Sequence, residues 1–317
     1  MNQNSSYEAL RTRAAVLDLT SRGLIRVSNE DRARLLHAMS TNAINTLQPG
    51  EGTQALFLND KGRILAEFAV YCRDDDFLLD TEANTRQLVL EHLDHYIIMD
   101  VVELEDLTES HCVLAVEGPT AAEALKGLGA TLPEASYAHV AWDGAMLAKC
   151  SYTGAEGFRI YAPIEQRDAW LQRLEGAGLP LSDAATAEIA RLEWGKPRHG
   201  VEYTEQHLVH EAQLLEHVSF TKGCYLGQEI VERVRSRGLV NRYLVRLVAD
   251  TAEAPAPETP VTVGEASSGK VMNAGYSPTL GKCIVWALLR REHVQNGETF
   301  TINGASATLA GSGLLGA

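Results

Sequence analysis

The sequence predicts an α+β chain with antiparallel strands, followed by a small all-β unit at its C-terminal end. Two observations predict it. Through about residue 240, apolar residues repeat by turns at helical spacing and at alternate spacing, so helices and strands are mixed along the chain. From Arg242 onward, strand-like segments follow one another with Gly, Pro and Asn turns between them, the pattern of a small β-barrel or sandwich. The 317 residues, 45% of them hydrophobic, suffice for about two domains of roughly 150 residues.

Leu24 to Val27 reads as a strand, and a helix is expected at 29 to 39, where Leu35, Leu36 and Met39 share a face behind a capping-box-like Ser28 and Asp31. Ala55 to Leu58, Ile64 to Tyr71 and Phe77 to Asp80 form a strand meander, separated by the polar turns Asn59 to Gly62 and Arg73 to Asp76. A helix over 82 to 95, with Leu88, Val89, Leu93 and Tyr96 on one face, leads to a β-type run at Val101 to Leu104. The alternation recurs: a strand at 112 to 116, a helix opened by Pro119, strands near 145 to 149 and 158 to 161, and a helix at 165 to 175. A further helix, 183 to 194, is expected to bury Ile189 and Leu192 and to stop before Gly195 and Pro197. In the last part, Leu244 to Val248, Val261 to Val263, Lys270 to Tyr276, Cys283 to Leu288 and Thr299 to Ile302 are strand-like, with Ala252 to Pro260 an exposed loop.

The net charge of −14 opposes the phosphate attraction that drives non-specific nucleic-acid binding. The polar start, Met1 to Leu10, is not a secretory signal, and the densest apolar run, Cys283 to Leu289, falls far short of the roughly 20 residues that span a bilayer. Five scattered cysteines give no disulfide framework and no zinc spacing, which favours a reducing, cytoplasmic compartment. His199, His207, His210 and His217 cluster around Glu211 without an H-E-x-x-H pattern, so no metal site is expected there.

The most informative segment is Phe220-Thr-Lys222-Gly-Cys224-Tyr-Leu-Gly-Gln-Glu229. A lysine two residues before the cysteine and a helix start just after it are conditions that stabilise a thiolate, which makes Cys224 the candidate reactive thiol and Lys222 its activator. The competing reading is a small buried hydrophobe in a glycine-rich turn. Residues 222 to 246 hold six basic against two acidic side chains, a local +4 that suits either a solvated face or an anion site.

The run Lys222-Gly-Cys-Tyr-x-Gly-Gln-Glu229, with Arg233 and Arg237-Gly238 behind it, resembles the signature of the YgfZ family, whose members resemble the aminomethyltransferase (T-protein) of the glycine cleavage system. Four further segments are similar to T-protein elements in the same order: Leu17 to Gly23, Leu56 to Ile64, Ser151 to Phe158, and Arg191-Leu-Glu-x-Gly195. The resemblance implies an interleaved α+β folate-binding module over residues 1–238, built around a central opening, with a C-terminal β-barrel over 239–317. It gives Glu193 the pterin ring, whose side-by-side N–H donors match a carboxylate, and it places Glu67, Tyr152 and Arg233 at the folate. It also exposes two departures. The T-protein acidic pair reads Ala66 and Glu67 here, and Arg159 stands where glutamate is common.

The expectation from this resemblance is a folate-binding auxiliary protein for iron-sulfur cluster assembly or repair, with tetrahydrofolate as ligand, iron-sulfur client or assembly proteins as partners and Cys224 as the working thiol. The alternative is a tetrahydrofolate-dependent aminomethyltransferase or demethylase. Since positioned proton transfer needs hydrogen-bond reach of about 2.6 to 3.2 Å, the change at Ala66 and Glu67 weighs against the alternative.

Overall fold

The computed structural model describes residues 3–238 and 240–311. It opens with α1 (Gln3–Thr12), a helix the sequence pattern does not announce because its buried apolar residues, among those described, are only Ala9 and Leu10. The chain then weaves between two sheets. β1 (Ala15–Asp18) enters the first sheet, and the next elements leave it: β2 (Gly23–Ser28), α2 (Arg32–Met39), β3 (Gly52–Leu58), β4 (Ile64–Cys72), β5 (Asp76–Thr81), α3 (Arg86–Tyr96) and β6 (Glu103–Asp106). These five strands form a second sheet in the order β3-β4-β5-β2-β6. The chain returns with β7 (His111–Glu117), α4 (Ala121–Gly127), β8 (His139–Trp142), β9 (Ala145–Ala148), β10 (Gly157–Pro163), α5 (Arg167–Gly176), β11 (Leu181–Ser182) and α6 (Ala184–Trp194). Its sheet runs β11-β1-β7-β10-β9-β8, with β1 antiparallel to β7 and parallel to β11.

Three expectations shift. The run placed at Val101 to Leu104 pairs two residues later, as β6, and leaves Val101 exposed. The capping box before α2 does not form, because the Asp31 carboxylate instead accepts from the Val101 amide across the chain. In α6, Ile189 is only half-buried, and the face turned inward carries Arg191 and Glu193 beside Leu192.

After α7 (Val209–Ala212) and α8 (Gln228–Arg237), strands β12 (Arg242–Ala249), β13 (Pro260–Val263), β14 (Ala266–Ser277), β15 (Lys282–Arg290), β16 (Phe300–Ile302) and β17 (Ala305–Leu309) close a six-stranded barrel, with α9 (Arg291–Gln295) between β15 and β16. Closure removes the unpaired edges that an open sheet of short strands would expose. Leu247, Val261, Val285 and Phe300 fill the barrel, while Leu244, Ile284, Trp286 and Leu288 face outward into a core shared with Leu56, Ile64, Leu192 and Tyr203. Barrel and sheets are thus joined by apolar packing, which fixes the walls of the space between them. No helix among the described residues is long and apolar enough to cross a membrane.

Candidate functional site

Between the two sheets lies a cavity of about 660 Å³, lined among others by Gln54, Glu67, Tyr137, Lys196 and His217. That volume lies within the range usual for small-molecule sites. An inner recess of about 30 Å³, room for a water or two, continues from it past the same Gln54, Glu67, Tyr137 and Lys196 to Arg22, Asp80, Tyr152, Arg159 and Arg198.

The floor of the recess is a buried charge cluster. Asp80 accepts from Arg22, from Arg159 Nη1 at 2.5 Å and from the Tyr161 hydroxyl. Burial alone would raise the Asp80 pKa, but the two arginines reverse that and hold it below the ordinary carboxylate range. Glu82 pairs with Arg22 and is likewise held low against its burial. Arg159, where a glutamate was the family expectation, is therefore seated by Asp80, while its buried Nε meets no acceptor.

Glu67 differs from both. Gln54 Nε2 and the Tyr203 hydroxyl donate to its two oxygens, and no arginine pairs with it among the described residues. Burial raises its pKa, only partly opposed by Lys196. Lys196 donates its Nζ to the Ser151 carbonyl, and burial, with Arg159 nearby, lowers its own pKa.

Tyr152 is placed by a different carboxylate. Glu117, fully buried at the end of β7, accepts from the Ser151 hydroxyl, from the Tyr152 and Thr153 amides and from the Thr153 hydroxyl, at 2.6 to 3.1 Å. That wraps the loop around one side chain. A Cβ on Gly157 would lie 2.6 Å from Glu117 Oε1, so this position has no room for any other residue. The wrapped loop holds Tyr152 on the recess wall, where its hydroxyl accepts from Arg198.

The Arg191-Leu-Glu-x-Gly195 segment resolves into separate tasks. Arg191 is buried and forks onto Glu188 and Glu202, both of which also accept from Asn273 on β14. Gly195 ends α6 at φ +84°, and a Cβ there would meet Arg246 Nη1 at 2.4 Å, displacing the guanidinium that satisfies the Leu192 and Glu193 carbonyls. Glu193 lies outside both cavity walls. Its Oε1 accepts from the hydroxyls of Tyr7 on α1 and Ser277 on β14, and its Oε2 accepts no hydrogen bond, with Arg11 Nε 3.5 Å away. The next residues, Trp194 to Pro197, do line the cavity.

The Lys222 to Glu229 loop also resolves. Lys222 turns its Nζ to the carbonyls of His37, Ser40 and Asn42, closing the C-terminal end of α2, and burial lowers its pKa to about 8. Tyr225 is buried, and Gly227 caps α8 at φ +82° against the Asn59 to Gly62 turn, where a Cβ would strike the Asn59 carbonyl at 2.7 Å. Cys224 is left exposed, which overturns the buried-hydrophobe reading, while the other four cysteines are buried. Arg233 lies on the exposed face of α8, ion-paired with Glu229, and lines neither cavity wall.

Of the residues singled out from sequence, the structure thus brings Glu67 and Tyr152 to one site, sets Glu193 behind it, and leaves Cys224, Lys222 and Arg233 on a separate face. Sequence reasoning missed Asp80, Arg22, Lys196, Arg198 and Tyr203. Asp80 had a signal, an acid that directly follows the apolar run Phe77-Leu78-Leu79 of its strand. Lys196 and Arg198 had one too, two cations immediately beyond the glycine that stops α6.

Comparison with known proteins agrees with this architecture. Residues 2–222 match the GCVT N-terminal domain, and residues 242–310 match the glycine cleavage T-protein C-terminal barrel domain. The chain belongs to the glycine cleavage T-protein family. It is 30% identical to an aminomethyltransferase of Streptomyces coelicolor, over 93% of this chain and 83% of that protein. It is also 30% identical to an aminomethyltransferase of Rubrobacter xylanophilus, over 88% and 77%. The crystal structure of the glycine cleavage system aminomethyltransferase T from Bartonella henselae shares the fold, with a TM-score of 0.89 at 20% identity, covering 99% of this chain and 89% of that one.

Proposed function

We propose that the chain binds tetrahydrofolate in the central cavity and transfers a one-carbon unit there, as an aminomethyltransferase or demethylase, with Glu67 as its acid–base group. The observation that carries this reading is the state of Glu67: a carboxyl on the wall shared by cavity and recess, hydrogen-bonded but not neutralised by an arginine, with its pKa raised by burial. A group so tuned holds a proton nearer neutral pH than an ordinary glutamate, as a general acid requires. Lys196, which lines cavity and recess alike, offers charge to an anionic ligand, and Tyr152 with Arg198 over its ring closes the recess behind it. The loss of the first acid, Ala66, leaves Glu67 to act alone. Its extra methylene is taken up by the contacts to Gln54 and Tyr203.

Glu193 enters the proposal through its Oε2, which accepts no hydrogen bond and is ion-paired only with Arg11, so that a pterin edge reaching it would have to displace that arginine. The division of the chain at residues 238 and 239 is part of the same reading. The test is titration with tetrahydrofolate, followed by turnover in a reconstituted glycine cleavage assay. Binding with Glu67-dependent methylene transfer supports the proposal, and absence of binding removes it.

A second reading, iron-sulfur assembly in a YgfZ-like role, is favoured by one observation. In the signature loop Lys222, Tyr225 and Gly227 have structural tasks, whereas Cys224 is exposed and has none. With this reading go iron-sulfur client or assembly proteins as partners and a cytoplasmic setting, consistent with five free cysteines. Its test is whether Cys224→Ser restores iron-sulfur enzyme activity in a strain lacking the protein. Restoration removes the thiol from the mechanism.

A further inference from the structure

The Glu67 side chain is only 11% exposed and that exposure faces the cavity, so a ligand seated there would leave it little contact with bulk water. An acid–base group in that position needs another way to exchange its proton. One continuous set of polar atoms leads out. His217 stands on a short 3-10 turn, Leu215–His217, that packs on β3. Its Nδ1 is 3.7 Å from Glu67 Oε1, and its Nε2 is 3.5 Å from Oε1 of Glu216. The His217 side chain is 9% exposed and the Glu216 side chain 69% exposed, so Glu67 and His217 are both buried and Glu216 is the member of the set that reaches solvent.

The imidazole is held in place by its backbone. The Thr41 hydroxyl donates to the His217 carbonyl at 2.7 Å, the Ser219 amide donates to the Thr41 carbonyl at 2.9 Å, and the His217 amide closes its own turn on Leu214. Nδ1 is buried and meets no hydrogen-bond partner, an unusual condition for an interior nitrogen. Facing a carboxyl whose pKa burial raises, this nitrogen is placed to accept a proton from it.

We propose that His217 is a proton relay between Glu67 and the solvent-exposed Glu216, acting on the reaction through Glu67. The inference rests on the assignment of Glu67 as the acid–base group. In the relay a proton leaves Glu67 Oε1 for His217 Nδ1 while another leaves Nε2 for Glu216 or the water around it. No bond other than these O–H and N–H bonds changes. A closing movement of under an ångström brings the 3.7 Å separation into hydrogen-bond reach, and catalytic hydrogen bonds are commonly long before ligand binds.

The charged surroundings suit a neutral ring with one proton and one lone pair. Burial lowers the His217 pKa to about 4, with Lys196 adding to the lowering and Glu216 opposing it. The groups that donate to Glu67 are the Gln54 amide from β3 and the hydroxyl of Tyr203, whose pKa is held above its ordinary value by burial and by Glu67, while Lys196, Arg22, Glu82, Tyr137 and His199 interact with it through charge. At neutral pH neither donor takes the proton in place of the imidazole.

The test uses the full chain in three measurements. Tetrahydrofolate titration of His217→Gln, a residue of the cavity wall, sets the ligand concentration at which saturated turnover is compared with wild type. Turnover of His217→Gln is expected to fall about 10²-fold, with a shifted acid limb of the pH profile and partial rescue by added imidazole. The ¹⁵N shifts of the His217 ring are expected to show an inflexion as Glu67 titrates, which Glu67→Gln abolishes. Undiminished turnover in His217→Gln overturns the relay, as does a ring insensitive to Glu67. If wild type binds no tetrahydrofolate, the proposed function falls, and the ring inflexion alone decides whether the two groups share a proton.

Discussion

Replacing Asp80 by Asn tests the framework that holds the recess together. The substitution keeps the shape but removes the charge facing Arg22 and Arg159, whose side chains are 10% and 6% exposed around an Asp80 that is 0% exposed. Breaking a buried pair by removing one partner typically costs about 3–5 kcal/mol, because the remaining charge is left uncompensated in a low dielectric. Here two guanidiniums share the one carboxylate, and Arg22 keeps Glu82 while Arg159 has no second acid among the described residues. The expected loss is therefore about 3 kcal/mol or more, roughly a hundredfold in the folding equilibrium, and Arg159 accounts for most of it. The double variant Asp80→Asn with Arg159→Met removes the stranded charge and is expected to recover part of the loss. Urea denaturation of the three proteins reads the effect as a fall in midpoint. The wild-type contribution also carries a sign in pH: the Asp80 pKa is lower folded than unfolded, so its stabilisation is present above about pH 4 and is lost as pH falls through the folded value. A change under 1 kcal/mol in Asp80→Asn, or no recovery in the double variant, would refute the reasoning.

The opposite sign is expected at Glu67. Its folded pKa is raised, so its contribution is fully present below the unfolded value and is lost as pH rises through the folded one; Glu67→Gln should gain about 1 kcal/mol at pH 8, a gap that closes toward pH 4, and equal stability at pH 8 contradicts it. Brief limiting iodoacetamide should label Cys224 before Cys72, Cys112, Cys150 or Cys283, since those four are buried and burial pushes the thiols of Cys72, Cys112 and Cys283 up; first labelling at any of them, read by mass spectrometry, counts against the assignment. Gly195→Ala combines a left-handed backbone with displacement of Arg246 and should cost about 1–3 kcal/mol, measured as a lowered Tm; a silent substitution would mean that the α6 stop tolerates a side chain.

Much of the fold was legible because periodicity reports burial, and most elements bury apolar side chains. The meander β3 to β5 and the barrel strands alternate or run apolar as expected, and their turns carry the expected polar residues. α1 was not legible, since two buried apolar residues, Ala9 and Leu10, do not make a stripe and its packing depends on α6, distant in sequence. The site was harder for a related reason. Its charges are buried against one another, and no local pattern tells a buried Arg191 from a solvated one. Motif strings located the important segments but blurred their tasks. Lys222 reads as an activator of its neighbour Cys224, yet its ammonium is spent on three carbonyls of the α2 terminus. Glu193 reads as a cavity carboxylate, yet its Oε1 ties α1 to the barrel. In both cases the deciding partner lies over 80 positions away in sequence.

The central claim is that the cavity between the sheets is a folate site organised around Glu67. Calorimetric titration of tetrahydrofolate into wild type and Glu67→Ala tests it most directly. The account predicts saturable binding to wild type and a loss of about 1–3 kcal/mol of affinity in Glu67→Ala, the usual consequence of leaving a buried hydrogen-bonding group without its partner. Wild type that binds no tetrahydrofolate, or a Glu67→Ala variant that binds it as tightly as wild type, would contradict the account.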